Sequence, residues 1–207
     1  MRIKLVVLSL LFSLICPAQN ENRVESFKAT VLKTKTGVMI VYNGSEHALT
    51  IEIVSENIKH SEHPDVLMVE NRVFQHVVLP SQNRINYDSL SIDRKKANLT
   101  SYVNYELNHI KQVLKSEILN VKFKWIELNG KLCLFWLYDM PLSNTSIEKQ
   151  VYLTTIYFDN ILTLNTAVTR DNNSLDPYLN LLTNAASSVK TFNAPIYLNT
   201  LKKDLNK

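Results

Sequence analysis

The stretch Val121-Lys122-Phe123-Lys124-Trp125-Ile126-Glu127-Leu128-Asn129-Gly130-Lys131-Leu132-Cys133-Leu134-Phe135-Trp136-Leu137-Tyr138 decides the fold class. Two β-rich runs flank Asn-Gly, the pair that most readily takes the positive φ values of a two-residue hairpin turn. With that turn, Trp125 faces Leu134, Phe123 faces Trp136 and Val121 faces Tyr138 on one side. Ile126–Cys133, Lys124–Phe135 and Lys122–Leu137 form a mixed second side. The first side reads as core and the second as partly covered.

Outward from this hairpin the pattern stays readable. Before it, Leu99 to Leu119 carries Val103, Leu107, Ile110, Leu114 and Ile118 on one helical stripe, with Asn104, Asn108, Lys111 and Lys115 opposite. After it come Val151 to Phe158 and Ile161 to Val168, a second hairpin expected to turn at Asp159-Asn160. Asp176 and Pro177 then open a helix whose stripe (Tyr178, Leu181 or Leu182, Ala185, Val189, Phe192) stops before Pro195. In the first half, Phe27 to Val31 alternates as a strand, and Val38 to Tyr42 and Ala48 to Val54 flank Asn43-Gly44 as a hairpin. Asn57 to Asp65 and Ser81 to Lys96 read as loops, and Val66 to Leu79 as strand broken near Glu70-Asn71. The order is βββ(β)β-α-ββββ-α: an α+β fold with an antiparallel sheet covered by two amphipathic helices.

The N-terminus reads as a targeting segment. Arg2 and Lys4 precede an apolar run from Leu5 to Ile15, too short to span a bilayer but suited to a signal peptide. Cys16-Pro17-Ala18 places small residues for cleavage between Ala18 and Gln19. Lipid anchoring at Cys16 is the minor alternative, disfavoured by bulky Ile15 and by Pro17. Residues 19–207 then form a single α/β domain with a polar leader (19–26) and a basic, frayed tail (196–207). Shedding Arg2 and Lys4 lowers the formal charge from +4 to about +2, too little for a nucleic-acid partner. Cys133 is left alone, so no internal disulfide is expected, and no transmembrane segment remains.

Three glycines, Gly37, Gly44 and Gly130, leave no way to write a dinucleotide fingerprint, a phosphate loop or a nucleophile elbow. No catalytic residue and no cofactor is assigned. His60 and His63, near Glu56 and Asp65, form the densest set of possible metal ligands, although a third protein ligand is wanted. A solvated loop is the plainer reading. Cys133 with His109 could make a nucleophile–base pair, but a mid-strand thiol is better read as a small core residue. Asp139 ends a strand beside Trp136 and Tyr138, and with a facing carboxylate it could do acid–base work. Tyr105, Trp136 and Asp139 are the candidate binding residues, Tyr105 because it falls off the buried stripe that Tyr102 approaches. Asp88-Ser89-Leu90 matches a bacterial O-glycosylation tripeptide, a match that chance readily supplies.

From about Val73 to Phe192 the pattern resembles the PsbP-like α/β sandwich, the fold of the photosystem II PsbP protein and related bacterial envelope proteins. The likeness lies in the strand ending Leu79-Pro80, the helix before Val121, Trp125 to Tyr138, Val151 to Phe158 and the helix Ala185-Ala186-Ser187-Ser188-Val189-Lys190-Thr191-Phe192. Residues Phe27 to Val66 have no counterpart in it. The resemblance implies a non-catalytic module that binds another envelope or secreted protein. The alternatives are a metal-dependent or acid–base enzyme using His60, His63 and Asp139, and a small-ligand carrier.

Overall fold

The computed structural model describes residues 24–81, 85–172 and 174–205. The leader expected through Ala18 and Gln19, with Cys16, lies outside them. Eleven strands and three α-helices are described: β1 Lys28–Lys33, β2 Gly37–Asn43, β3 Ala48–Val54, β4 Ile58–His60, β5 Val66–Val69, β6 Arg72–Pro80, α1 Ile92–Leu114, β7 Leu119–Leu128, β8 Lys131–Asp139, β9 Ile147–Tyr157, β10 Asn160–Thr169, α2 Asp176–Ser187, β11 Lys190–Phe192 and α3 Leu198–Leu205. They make the α+β architecture expected, but the strands divide into two antiparallel sheets. One has the order β1-β2-β3-β11 and the other β4-β5-β6-β10-β9-β8-β7.

The seven-stranded sheet is covered on both faces, which explains its many apolar residues. One face presents Phe74, Val78, Leu162, Leu164, Leu153 and Cys133 to the smaller sheet (Val38, Ile40, Tyr42, Leu49, Ile51, Ile53) and to Leu182, Ala185 and Ala186 of α2. The other presents Leu134, Trp136, Tyr138 and Ile156 to Leu99, Val103 and Ile110 of α1. The side of the central hairpin expected to be mixed is therefore part of the main core. Each of its fully buried large side chains contributes roughly 2–3 kcal/mol of apolar transfer.

The Asn129-Gly130 turn forms as its sequence requires, with φ of 50° and 72°, and Trp125 pairs Leu134 and Phe123 pairs Trp136. The next expected pair fails. The register slips between Lys122 and Leu119, with Asn120 at φ 54°, so a bulge replaces the Val121–Tyr138 pair. The second hairpin turns at Phe158-Asp159 (φ 51° and 58°), one residue earlier than expected, because Asn160 pairs Tyr157. Asp159 is held there by accepting from the backbone N–H groups of Ile85, Asn86 and Tyr87 at 2.7–3.1 Å.

Five further boundaries differ from the sequence reading. α1 begins at Ile92 inside the expected loop, since Ser91 caps it by accepting from the Arg94 N–H. Ile92 to Arg94 are exposed and Lys95, Lys96 and Asn98 are polar and half-buried, so no apolar stripe is written before Leu99. It ends at Leu114, where Lys115 turns left-handed at φ 50°. Within the other expected loop, Ile58–His60 pairs with β5. α2 stops at Ser187 because the Ser188 hydroxyl bonds to both the N–H and C=O of Glu52; Lys190–Phe192 then pairs with β3 as a strand. The tail forms α3, joined to the sheet where the Asn43 side chain bonds to both backbone groups of Ile196 at 2.8–2.9 Å.

Candidate functional site

The binding residues expected from the sequence do not share a surface. Trp136 is 1% exposed; its indole N–H donates to Thr154 Oγ1 at 3.0 Å and its ring stacks on Tyr152 with centroids 3.9 Å apart. It is interior and cannot face a partner. Tyr105 is 55% exposed, as its off-stripe position required. It lies one turn from Tyr102, whose hydroxyl reaches Thr163 of β10, so it sits on the β10 flank of α1. Asp139 sits on the other side, at the end of β8. It accepts from Asn120 Nδ2 and lies 3.7 Å from Lys149 Nζ, which also pairs with Glu148: its carboxylate holds the bulge and shares a cation with the second acid.

His60 and His63 are exposed on the strip around β4. Ser61 Oγ accepts from the His63 N–H, which shapes the turn rather than gathering ligands. Among the described residues no three His, Cys, Asp or Glu side chains converge on a common point. β4 and β8 are five strand positions apart, so His60 and Asp139 stand on the order of 24 Å from each other at about 4.8 Å per step. One reaction centre cannot use both. Cys133 is buried, and burial pushes its thiol up to about 11 against weaker pulls from Thr155, the Leu128 backbone and Lys131. Such a thiol stays protonated and unreactive.

Three polar clusters emerge that sequence reading did not assemble. In the first, the Tyr42 hydroxyl lies 2.6 Å from His76 Nδ1, both side chains buried between the two sheets. Burial lowers the His76 pKa to about 4 and pushes that of Tyr42 well up, so the imidazole is neutral and the phenol protonated. His76 Nε2 has no partner among the described residues. Asp65 is close enough to add to the Tyr42 shift, and its own pKa is raised by burial, partly offset by His63. In the second cluster Glu106 is buried beneath α1. Burial raises its pKa, only partly offset by His109 and by a hydrogen bond with Tyr102. A signal for His76 existed: Phe74, His76 and Val78 alternate onto one strand face.

The third cluster ties down the segment before β1. Glu25 accepts from the N–H of His47 at 3.0 Å and from that of Glu46, and its other oxygen meets His47 Nδ1 at 2.7 Å. Burial pushes its carboxyl up, but these donors together outweigh it and hold the pKa below the ordinary value. The His47 ring stacks on Phe158 at 4.1 Å, and Phe27 lies 6.4 Å from the same ring. Gly44 makes room: a Cβ there would lie 2.1 Å from Glu25 Oε1 and 2.7 Å from its Cγ. Gly44→Ala is therefore expected to expel the carboxylate, costing about 1–2 kcal/mol. Hydrogen exchange should show the Glu46 and His47 amides losing protection and trypsin cutting faster after Lys28; unchanged protection would disprove this latch.

The outward surface has a different character. Two open grooves lie on it, one along Asn108, Lys111, Gln112 and Lys115, another between Lys28, Thr30, Gly44 and Leu198. Phe123 at 49% exposed and Leu119 at 62% project from β7. No helix among the described residues is long and apolar enough to cross a membrane.

No protein-family model matches the chain, and no curated protein does. Among solved structures it is similar to the solution structure of cyanobacterial PsbP (CyanoP) from Synechocystis sp. PCC 6803, with 11% identity and a TM-score of 0.42, covering 85% of this chain and 98% of that one. The likeness concerns the fold alone and is the one its sequence pattern led us to expect.

Proposed function

We propose that this chain is an exported, non-catalytic α/β module that binds another protein of the cell envelope or the secreted space. The observation that carries the reading is where its chemistry lies. Cys133, His76 and Glu106 are each buried, and burial disfavours the charged form of each, whereas the exposed His60 and His63 gather no third ligand among the described residues and the accessible surface offers backbone edges and isolated apolar side chains. A reaction centre needs titratable groups that substrate can reach; a binding module needs an accessible face on a rigid frame. The basic–apolar–small order of residues 1–18 supports export, with cleavage before Gln19.

Intact-mass analysis of the protein recovered from its native host should give a chain beginning at Gln19. A chain retaining Met1 would overturn the export reading, and a lipid on Cys16 would replace cleavage before Gln19 with the lipid-anchored alternative. Crosslinking in intact cells, followed by reconstitution of each captured protein with the purified chain, should return a saturable complex. Its absence would overturn the binding reading, and substrate turnover by the purified chain would overturn the non-catalytic one.

A further inference from the structure

The seven-stranded sheet has two free edges among the described residues, β4 and β7. β4 has three residues, whereas β7 has ten. A long, uncovered edge strand is unusual, because its unpaired N–H and C=O groups are a template for another strand. The hydrogen-bonding state of each β7 residue follows from the turn. The pair closing a two-residue hairpin, Leu128–Lys131, is a hydrogen-bonded pair, and pairs alternate from there. Ile126, Lys124 and Lys122 thus spend their backbone groups on β8, while Glu127, Trp125 and Phe123 direct theirs outward. The bulge at Asn120 bounds this run, leaving a regular edge from Lys122 to Leu128.

Side chains divide by face along the same edge. Lys122 and Lys124 are exposed on the α2 side. Phe123, 49% exposed, and half-buried Trp125 lie on the α1 side, where the Lys96 ammonium sits 5.7 Å over the Trp125 ring. Three cations therefore flank the edge, with Glu127 as the acidic residue of the run. Lysine on an edge strand opposes pairing with a strand of like charge and favours one carrying carboxylates at alternate positions.

Resting on the binding reading above, we propose that β7 is the docking edge, and that it takes an extended acidic peptide segment of a partner protein as an eighth strand. Carboxylates at every second position would face Lys122 and Lys124. The intervening apolar side chains would lie along Phe123 and Trp125. Main-chain pairing to Phe123, Trp125 and Glu127 would supply affinity and the alternation specificity. The other sheet's long edge, β1, is a poorer candidate, since Leu198 of α3 already lines a groove with Lys28 and Thr30.

The alternation supplies a test that separates edge pairing from folding. Glu127→Pro deletes an outward N–H without removing a bond of the β7–β8 ladder, so the variant should keep its melting temperature. The probe is a capped octapeptide alternating Val and Glu, with a Val/Lys peptide as control, titrated against the full mature chain by fluorescence anisotropy. The acidic peptide should bind at least tenfold more tightly than the basic one. Glu127→Pro should weaken it at least tenfold, and Lys122→Glu/Lys124→Glu should invert the preference. Equal binding of both peptides, or binding indifferent to Glu127→Pro, would overturn the proposal. So would a concentration-dependent dimer abolished by Glu127→Pro, which would assign the edge to a second copy. If a reconstituted partner still binds the Glu127→Pro chain, the edge proposal fails while the binding reading stands; if no partner forms a complex with either chain, both fail.

Discussion

Trp136→Ala is expected to lower the stability of the domain by about 4 kcal/mol, in the range found when a buried Phe or Trp is truncated. For a chain of this size that corresponds to a fall in melting temperature of about 8–16 °C. Three losses combine. The indole is fully enclosed between α1 and the sheet, its stack on Tyr152 at 3.9 Å disappears, and Thr154 Oγ1 loses its donor while remaining buried. Trp136→Phe should cost less, about 1–2 kcal/mol, since it keeps a stacked ring but not the N–H. Phe123→Ala is the contrast. Directly across from Trp136 in the register but half exposed, it should change stability by no more than about 0.5 kcal/mol. Chemical denaturation of the three variants checks the ordering. A Trp136→Ala chain melting within about 2 °C of the parent would refute the packing of α1 on this face.

The second large effect is on the pH dependence of stability. His76 titrates near 6.5 when unfolded, and burial lowers this to about 4 in the folded chain. As pH falls from 6.5 towards 4, the unfolded chain binds a proton that the folded interior refuses, so stability is full above the unfolded value and is lost on acidification. At 1.36 kcal/mol per unit the loss amounts to about 3 kcal/mol across that window. Other groups act in both senses. Glu25, with a lowered pKa, loses stability as pH falls through its folded value. Asp65 and Glu106, with raised values, gain stability as pH falls through theirs. The His76→Gln variant isolates the imidazole, since an amide can still bond to Tyr42 but does not titrate between pH 7 and 4. Parent and variant should have similar stability above about pH 6.5, and the parent should fall below the variant by about 3 kcal/mol as pH approaches 4. Parallel curves across the range would mean that His76 is not held neutral.

The two tests probe opposite faces of one sheet, and both concern groups whose neighbours come from distant parts of the chain. Tyr42 and His76 are 34 positions apart and meet only because the small sheet lies over β6. Ser188 reaches Glu52 across 136 positions. That contact decides where α2 ends, and it turns a segment whose spacing continued the helical stripe into an edge strand. Thr191 and Phe192 favour strand over helix by local preference, so propensity and the pairing with β3 act together there.

Residues near one another in the chain settled the features that depend on local geometry. Asn129-Gly130 dictated a two-residue turn and hence the register of Phe123, Trp125, Leu134 and Trp136. The spacing of Val103, Leu107 and Ile110 produced α1's buried stripe and left Tyr105 outside it. The alternation around His76 already pointed its ring inward. Strand order was beyond reach of such patterns. Inserting β10 between β6 and β9 sets the distance between His60 and Asp139 and so removes their shared site. The same order makes β7 an edge rather than a central strand. Whether a run of alternating residues is an edge depends on which strands compete for its hydrogen bonds, and that competition is resolved only when the whole sheet has assembled.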